Sequence, residues 1–427
     1  MGGSAFSSEE HNLYTPRMPR PVYNAVRDRC VSILADLYDS VAAPLEGPEK
    51  TDFGDLDLVL ACPKTESAST LQALQEIVNA LGAEKSILYE NSSSNLALPW
   101  PAAAADGTPL EDDVVAGEKK KHVQVDVRIC DSPEAQRWIL FKHAHGDIWN
   151  VIGSVIRPYG LTADETALWI RVPEIEETNR NRAKVRLTAD PDQVLDFLGL
   201  PAARFWEGPF ASADDMYEYV AQCRMFHVPP AVAAAAQASE DDAKSLKTND
   251  RRRMRQRPTF RRWVDDFTAR CRAEGRFATP RTDRAQVTAE ALARFGAEAE
   301  YTARRDAYLL ETQEHMVWTD VIKGGVAPVT DPSDMVAVTH RACLVKALKA
   351  IVLEGDESYG VVPRESLRAP SGFLHVDRVR SFMERQGADV GEAAMQRHRQ
   401  KSAEHMAAKR AREQAAADTA PAEAKLP

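Results

Sequence analysis

From residue 21 the chain sets apolar positions at helical spacing. In VYNAVRDRCVSILADLY these are Val22, Val26, Cys30, Ile33, Leu34 and Leu37, and Pro21 suits a first helical turn. SVAAPL reads as a short strand. DLDLVLACP opens on acids and continues as an apolar strand over 56–61. STLQALQEIVNALG returns to helical spacing and closes on Gly82, a C-cap residue. HVQVDVRIC alternates and is rich in β-branched residues, the pattern of a strand. EAQRWILFKHAHGDIWNVIGSVIRPYG is helical with a break near Gly146. TALWIRV and AKVRLT read as a hairpin, and DPDQVLDFLGL as a short helix with Asp190 and Asp192 at its dipole-favoured start. Beyond residue 250 only helical patterns follow, over 260–271, 285–317, 335–353 and 373–386.

This order predicts an α/β (α+β) domain with a small mixed sheet, followed by an all-helical C-terminal domain. Residues 1–20 read as a flexible arm, 21–228 as the α/β domain and 229–250 (PPAVAAAAQASEDDAKSLKTND from Pro229) as a linker. The helical domain then spans 251–386, and 387–427, rich in Ala, Glu, Lys and Arg, reads as a disordered or solvated-helix tail. A poorly patterned stretch at about 90–121 reads as a mobile loop.

Composition narrows the class. The 427 residues are 44% hydrophobic, and no apolar run approaches the roughly 20 residues of a membrane span. The start, MGGSAFSSEEHN, lacks the apolar stretch of a signal peptide, and the six cysteines form no C-x-x-C pair. The expectation is an intracellular protein of cytoplasm or nucleus, without a membrane partner. A net charge of −10 does not favour nucleic acid, but RRRMRQRPTFRRW from Arg251 is a local basic tract with aromatics interleaved. Its Arg251, Arg252, Arg253, Arg255 and Arg257 are candidate nucleic-acid contacts, because guanidinium forks suit phosphate. A solvated face and a nuclear-import signal are the other readings of this tract.

The chemistry centres on Asp55 and Asp57, placed where a buried strand begins. Residues two apart on a strand share a face, about 6.6 Å apart. Asp126 is equally out of place among apolar neighbours in VQVDVRI. If the two strands are neighbours, three carboxylates converge and repel unless a cation binds them. Such a cluster can hold two Mg²⁺ (or Mn²⁺) ions for in-line attack at phosphorus. Dehalogenase-type phosphatases and many glycosyltransferases also carry Asp-x-Asp, but with the apolar strand before the acids. Here it follows them, which argues against both.

GDLDLVLACP is similar to the Gly-Asp-x-Asp strand of the nucleotidyltransferase superfamily, most closely to the palm of the family X DNA polymerases. VDVRIC resembles that family's third-aspartate strand, with Arg128 two residues after the acid. HGDIWN, containing Gly146 and Asn150, resembles the turn that contacts the nucleotide's sugar and base. GLTADETALWI and DPDQVLDFLGLP resemble the following hairpin and helix. The resemblance spans about 20–210. It implies a nucleotidyltransferase palm in which Asp55 and Asp57 bind both ions and Asp126 binds one and polarises the attacking hydroxyl. It also implies transfer of a nucleoside monophosphate from a nucleoside triphosphate to an acceptor hydroxyl, a 3′ end of RNA or DNA first among candidates.

The family's Gly-Ser pair is replaced here by Gly47-Pro48, and proline offers neither N–H nor hydroxyl. Lys50 and Thr51 are candidate substitutes, with Gly47 and Gly54 lining the same turn. Arg128 is also a candidate partner for Asp55 or Asp57. Trp149 reads as core, and His143 and His145 lie near the expected cleft. A catalytically degenerate member that only binds nucleotide or nucleic acid is the rival reading, and a metal-dependent nuclease is a third.

Overall fold

The computed structural model describes residues 3–8, 10–90, 93–103, 109, 120–230 and 257–418. Most of the loop expected at 90–121, most of the linker at 229–250, and Arg251, Arg252, Arg253 and Arg255 lie outside the described residues. The chain forms two compact units, Met1–Tyr301 and Thr302–Pro427, whereas composition placed the division at 229–250.

The first unit begins with β1 (Met18–Pro19), α1 (Arg20–Leu34), β2 (Tyr38–Ala42), β3 (Asp52–Phe53), β4 (Leu56–Pro63) and α2 (Thr70–Leu81). Then come β5 (Lys85–Ile87), β6 (Ser94–Pro99), β7 (His122–Ile129), α3 (Pro133–His143) and α4 (Ile148–Ile156). Five of these strands make one mixed sheet in the order β2-β4-β7-β6-β5, with β4 and β7 parallel and the other pairs antiparallel. Parallel neighbours need a crossover, and α2 with the hairpin after it supplies the chain length.

The local signals explain the elements. Ser69 accepts from the Gln72 amide at the start of α2, and Gly82 ends it at φ 66°. Ser132 caps α3 in the same way. A second sheet, β8 (Leu161–Ala163), β9 (Leu168–Arg171) and β10 (Lys184–Thr188), is antiparallel and contains the expected hairpin. Asp190 caps the helix at Pro191–Leu198. Leu56, Leu58, Leu60, Val123, Val125 and Val127 face a core completed by α1 and α2, which leaves their alternating neighbours on the other side of the strands. The fold is thus mixed α/β, followed by a largely helical C-terminal part.

Three expectations change. Residues 3–20 are not a loose arm: Phe6 and Met18 are fully buried, and Gly3 packs on Gly54. The single helix expected at 285–317 is two, Arg284–Phe295 and Glu298–Met316, because Gly296 adopts the left-handed conformation at φ 65°. The tail after 386 does not begin at Gly387; one helix runs Val376–Asp418, and Val390 and Ala394 join the core of the second unit. Gly391 is tolerated there because a Cβ would lie only 3.0 Å from His340 Nε2, so the glycine permits close packing. Among the described residues no helix is long and apolar enough to cross a membrane.

Candidate active site

Asp57 and Asp126 are register partners across the parallel pair β4–β7. Asp126 in turn pairs with Asn95 across β6–β7, so Asp57, Asp126 and Asn95 form a row over three strands. Asp55 lies one residue before β4 rather than within it. Asn95 Nδ2 and Gln124 Nε2 both donate to Asp126 Oδ1, at 2.7 and 2.8 Å.

The charges are felt. Burial pushes the Asp57 carboxyl up to about 6, reinforced by the Asp55 and Asp126 charges and opposed by His143 and Lys50. Burial also raises Asp126, against the two amide hydrogen bonds that favour its ionised form, and Asp55 adds to the rise. All three acids are therefore within electrostatic reach of one another. Yet among the described residues no three Asp, Glu, His or Cys side chains are gathered into a ready metal-ligand set. The expected three-carboxylate cluster is a facing pair, Asp57 and Asp126, with Asp55 near enough for its charge to raise both.

The turn residues come together independently. Gly146, at φ 61°, abuts Gly47: a Cβ on Gly146 would lie 3.5 Å from Gly47 Cα. The His145 amide donates to the Leu45 carbonyl at 2.7 Å, tying the 45–47 loop to the turn before α4. Asn150 donates to Asp147 Oδ1 at 3.1 Å. Lys142, His143, Trp149, Asn150, Arg157, Glu165 and Arg257 line a cavity of about 360 Å³ beside this turn. Cations outnumber acids on that lining, which suits an anionic ligand.

The other expected residues are placed less directly. Lys50 and Thr51 are exposed; Lys50 Nζ sits 4.6 Å over the Phe53 ring, and the Lys50 carbonyl accepts from Arg20. Gly54 is buried under Gly3. Arg128 pairs with Glu165 at 3.9 Å, not with Asp55 or Asp57, because Glu165 reaches it from the loop between β8 and β9. His143 also contacts Glu165, at 3.4 Å, and that contact leads the lowering of the Glu165 pKa. His145 is buried, bonded to the Phe205 carbonyl at 2.8 Å, and burial lowers its pKa; it is a structural residue. Trp149 is core as expected, its Nε1 donating to the Phe141 carbonyl. Arg257, the described one of the five candidate nucleic-acid contacts, donates to Asp147.

Sequence reasoning missed Asn95, Gln124, Asp147 and Glu165. Gln124 carried a signal, since it precedes Asp126 by two and shares its strand face. Asn95 carried none, because its place opposite Asp126 depends on pairing across a long connection.

No family model matches the sequence, and no curated protein matches it. Among solved structures the chain is similar to Leishmania infantum polymerase beta in a ternary P/T complex, at 16% identity and a TM-score of 0.30. That match covers 44% of this chain and 75% of the other. The ternary gap complex of the same polymerase gives 16% identity and a TM-score of 0.30, over 44% of this chain and 69% of the other.

Proposed function

We propose that the chain is a nucleotidyltransferase that moves a nucleoside monophosphate from a nucleoside triphosphate to an acceptor hydroxyl, with a nucleic-acid 3′ end as the leading acceptor. The observation that carries this reading is the direct opposition of Asp57 and Asp126, two half-buried acids with Asp55 close by. Keeping such a pair ionised at neutral pH is costly, and a divalent cation is the natural relief.

Asp55, Asp57 and Asp126 would hold Mg²⁺ or Mn²⁺, which would neutralise phosphate charge and favour ionisation of the acceptor hydroxyl. The chain's own residues do the positioning. Asp126, held by Asn95 and Gln124, orients the acceptor oxygen toward the α-phosphorus. Lys142, Arg157 and Arg257 give the adjoining cavity its cationic lining for the triphosphate. The Gly47–Gly146 contact offers bare backbone there in place of the family's Gly-Ser pair. Attack forms the new phosphate ester while the bond to the bridging oxygen breaks and pyrophosphate leaves. No side chain needs to become covalently attached, since positioning and charge carry this chemistry.

One observation favours a second reading: Lys50, a candidate substitute for the Gly-Ser pair, lies over Phe53, so a nucleotide-binding protein without turnover fits the same geometry. The test is incubation of purified protein with Mg²⁺ or Mn²⁺, labelled triphosphates and a mixed RNA and DNA pool, beside an Asp55→Ala, Asp57→Ala variant. Label entering the pool with wild type alone supports transfer and names the acceptor. Triphosphate binding without transfer supports the second reading, and loss of labelled oligonucleotide with no triphosphate present points to a nuclease.

A further inference from the structure

The segment before β1 touches both acid-bearing stretches. Gly3, at φ 81°, lies so close to Gly54 that a Cβ there would stand 2.2 Å from the Gly54 carbonyl oxygen. Gly54 immediately precedes Asp55. Two residues on, the Ala5 amide donates to Gln124 Oε1 at 3.0 Å, and Gln124 Nε2 donates to Asp126 Oδ1 at 2.8 Å. Phe6 is fully buried, and Thr15 Oγ1 donates to the Gly3 carbonyl at 2.6 Å, so the segment is anchored along its length.

The chemistry of the amide gives this contact a consequence. A glutamine side chain ends in one acceptor and one donor of nearly identical shape, so its orientation is decided by its partners. A backbone N–H can only donate. The Ala5 amide therefore holds Oε1 toward the segment, which leaves Nε2, and not the oxygen, facing the Asp126 carboxylate. With the segment undocked, the Asp126 carboxylate alone holds the amide this way round, and Gln124 Oε1 is left in the interior without its donor. Gln124 is itself buried, so water is a poor substitute for the lost donor.

We propose that residues 3–8 are a docked arm that orients Gln124, and through it Asp126, so that arm docking and the geometry of the acid pair are coupled. Gln124 is then a positioning residue. What Asp126 is positioned for rests on the nucleotidyltransferase reading; the coupling itself does not.

Two variants of the full chain test this. Gly3→Ala blocks docking, since its Cβ meets the Gly54 carbonyl and its backbone must hold a left-handed φ. Gln124→Met keeps the bulk and removes both hydrogen bonds. Mn²⁺ affinity is read by water-proton relaxation, and amide hydrogen exchange is followed at Ala5 and at 124–127. Each variant is expected to weaken Mn²⁺ binding by about 10-fold, the scale of a lost partner behind a metal ligand. The double variant should be no worse than either single one, because both break one linkage. Gly3→Ala should also speed exchange at Ala5 and at 124–127, and lower kcat while leaving the triphosphate KM unchanged.

If Gly3→Ala frees the Ala5 amide while Mn²⁺ affinity and exchange at 124–127 stay as in wild type, the proposal is overturned. If wild type binds no Mn²⁺, the nucleotidyltransferase reading falls. Exchange at 124–127 then decides the coupling alone: faster in Gly3→Ala supports it, and unchanged overturns it.

Discussion

Asp57 stands directly opposite Asp126 across the parallel strands β4 and β7. Two acids in that relation do not help the fold. Asp57, though only the second residue of β4, is raised by burial and by both neighbouring acids. The pair carries a cost to stability, and that cost supports the site proposed above.

The cost sets a pH dependence. Because the folded-state pKa of Asp57 lies at about 6, above its ordinary 3.8, the stability it contributes is fully present below pH 3.8 and is lost as pH rises through 6. That difference corresponds to about 3 kcal/mol as an upper figure. Asp57→Asn should therefore stabilise the metal-free protein by about 1–3 kcal/mol at pH 7, with the gain vanishing near pH 4. Urea denaturation from pH 4 to 8 in chelator measures it. Added Mn²⁺ should stabilise wild type and leave Asp57→Asn nearly unchanged. A variant less stable than wild type at pH 7 would remove the argument that the pair is strained.

The acid-bearing strands and the broken helix before Asn150 were legible because each rests on local periodicity or a single glycine. What surrounds them was not. Asn95 reaches Asp126 through a strand pairing with no sequence mark, and Glu165 takes Arg128 from a loop 37 residues downstream. The arm looked unpatterned because a buried phenylalanine, a glycine contact and scattered hydrogen bonds hold it, none of them periodic. In the second unit, the composition after residue 386 read as a tail, although the helix passes through Gly387 and keeps Val390 in the core.

The two facing glycines should respond unequally to substitution. Gly146 holds φ 61°, so Gly146→Ala is strained even though its Cβ would meet Gly47 at an ordinary 3.5 Å. The expected cost is about 1–2 kcal/mol. Gly47 is not in the left-handed region, and its Cβ would lie 3.6 Å from Gly146 Cα, so Gly47→Ala should stay within about 0.5 kcal/mol of wild type. Thermal denaturation separates the two. Gly47→Leu should wedge the loop from the turn and weaken triphosphate binding more than it lowers the melting temperature.

His145 should act on the acid side. Burial among Phe205 and Phe210 lowers its pKa below the ordinary 6.5, so the unfolded chain takes up its proton first. Stability from this group is fully present above pH 6.5 and is lost as pH falls below that value through the lower folded-state pKa. Comparison of wild type with His145→Gln across pH 5 to 8 should show a shallower acid-side loss in the variant, the opposite slope to that removed by Asp57→Asn.

Arg257 and Asp147 form an ion pair at the rim of the cationic cavity, and the short helix that follows, Pro258–Arg262, places Arg262 3.5 Å from Glu49 in the loop after Gly47. The arginines thus rest on the two turns that meet at Gly47 and Gly146. Arg257 is about half exposed, so a double-mutant cycle with Asp147→Asn should give a stability coupling of only about 0.5 kcal/mol. The larger effect is expected in binding. If Arg257 turns from Asp147 to the phosphates when a triphosphate arrives, removing it and removing its partner act in opposite directions. Arg257→Ala should weaken triphosphate binding by about 3- to 10-fold, most clearly at low salt. Asp147→Asn releases the guanidinium and removes a negative charge, and should tighten binding. Titration with a non-hydrolysable triphosphate at two ionic strengths reads both. Weakening in both variants would mean that the ion pair matters as a rivet between turns, and that the basic tract meets its ligand elsewhere.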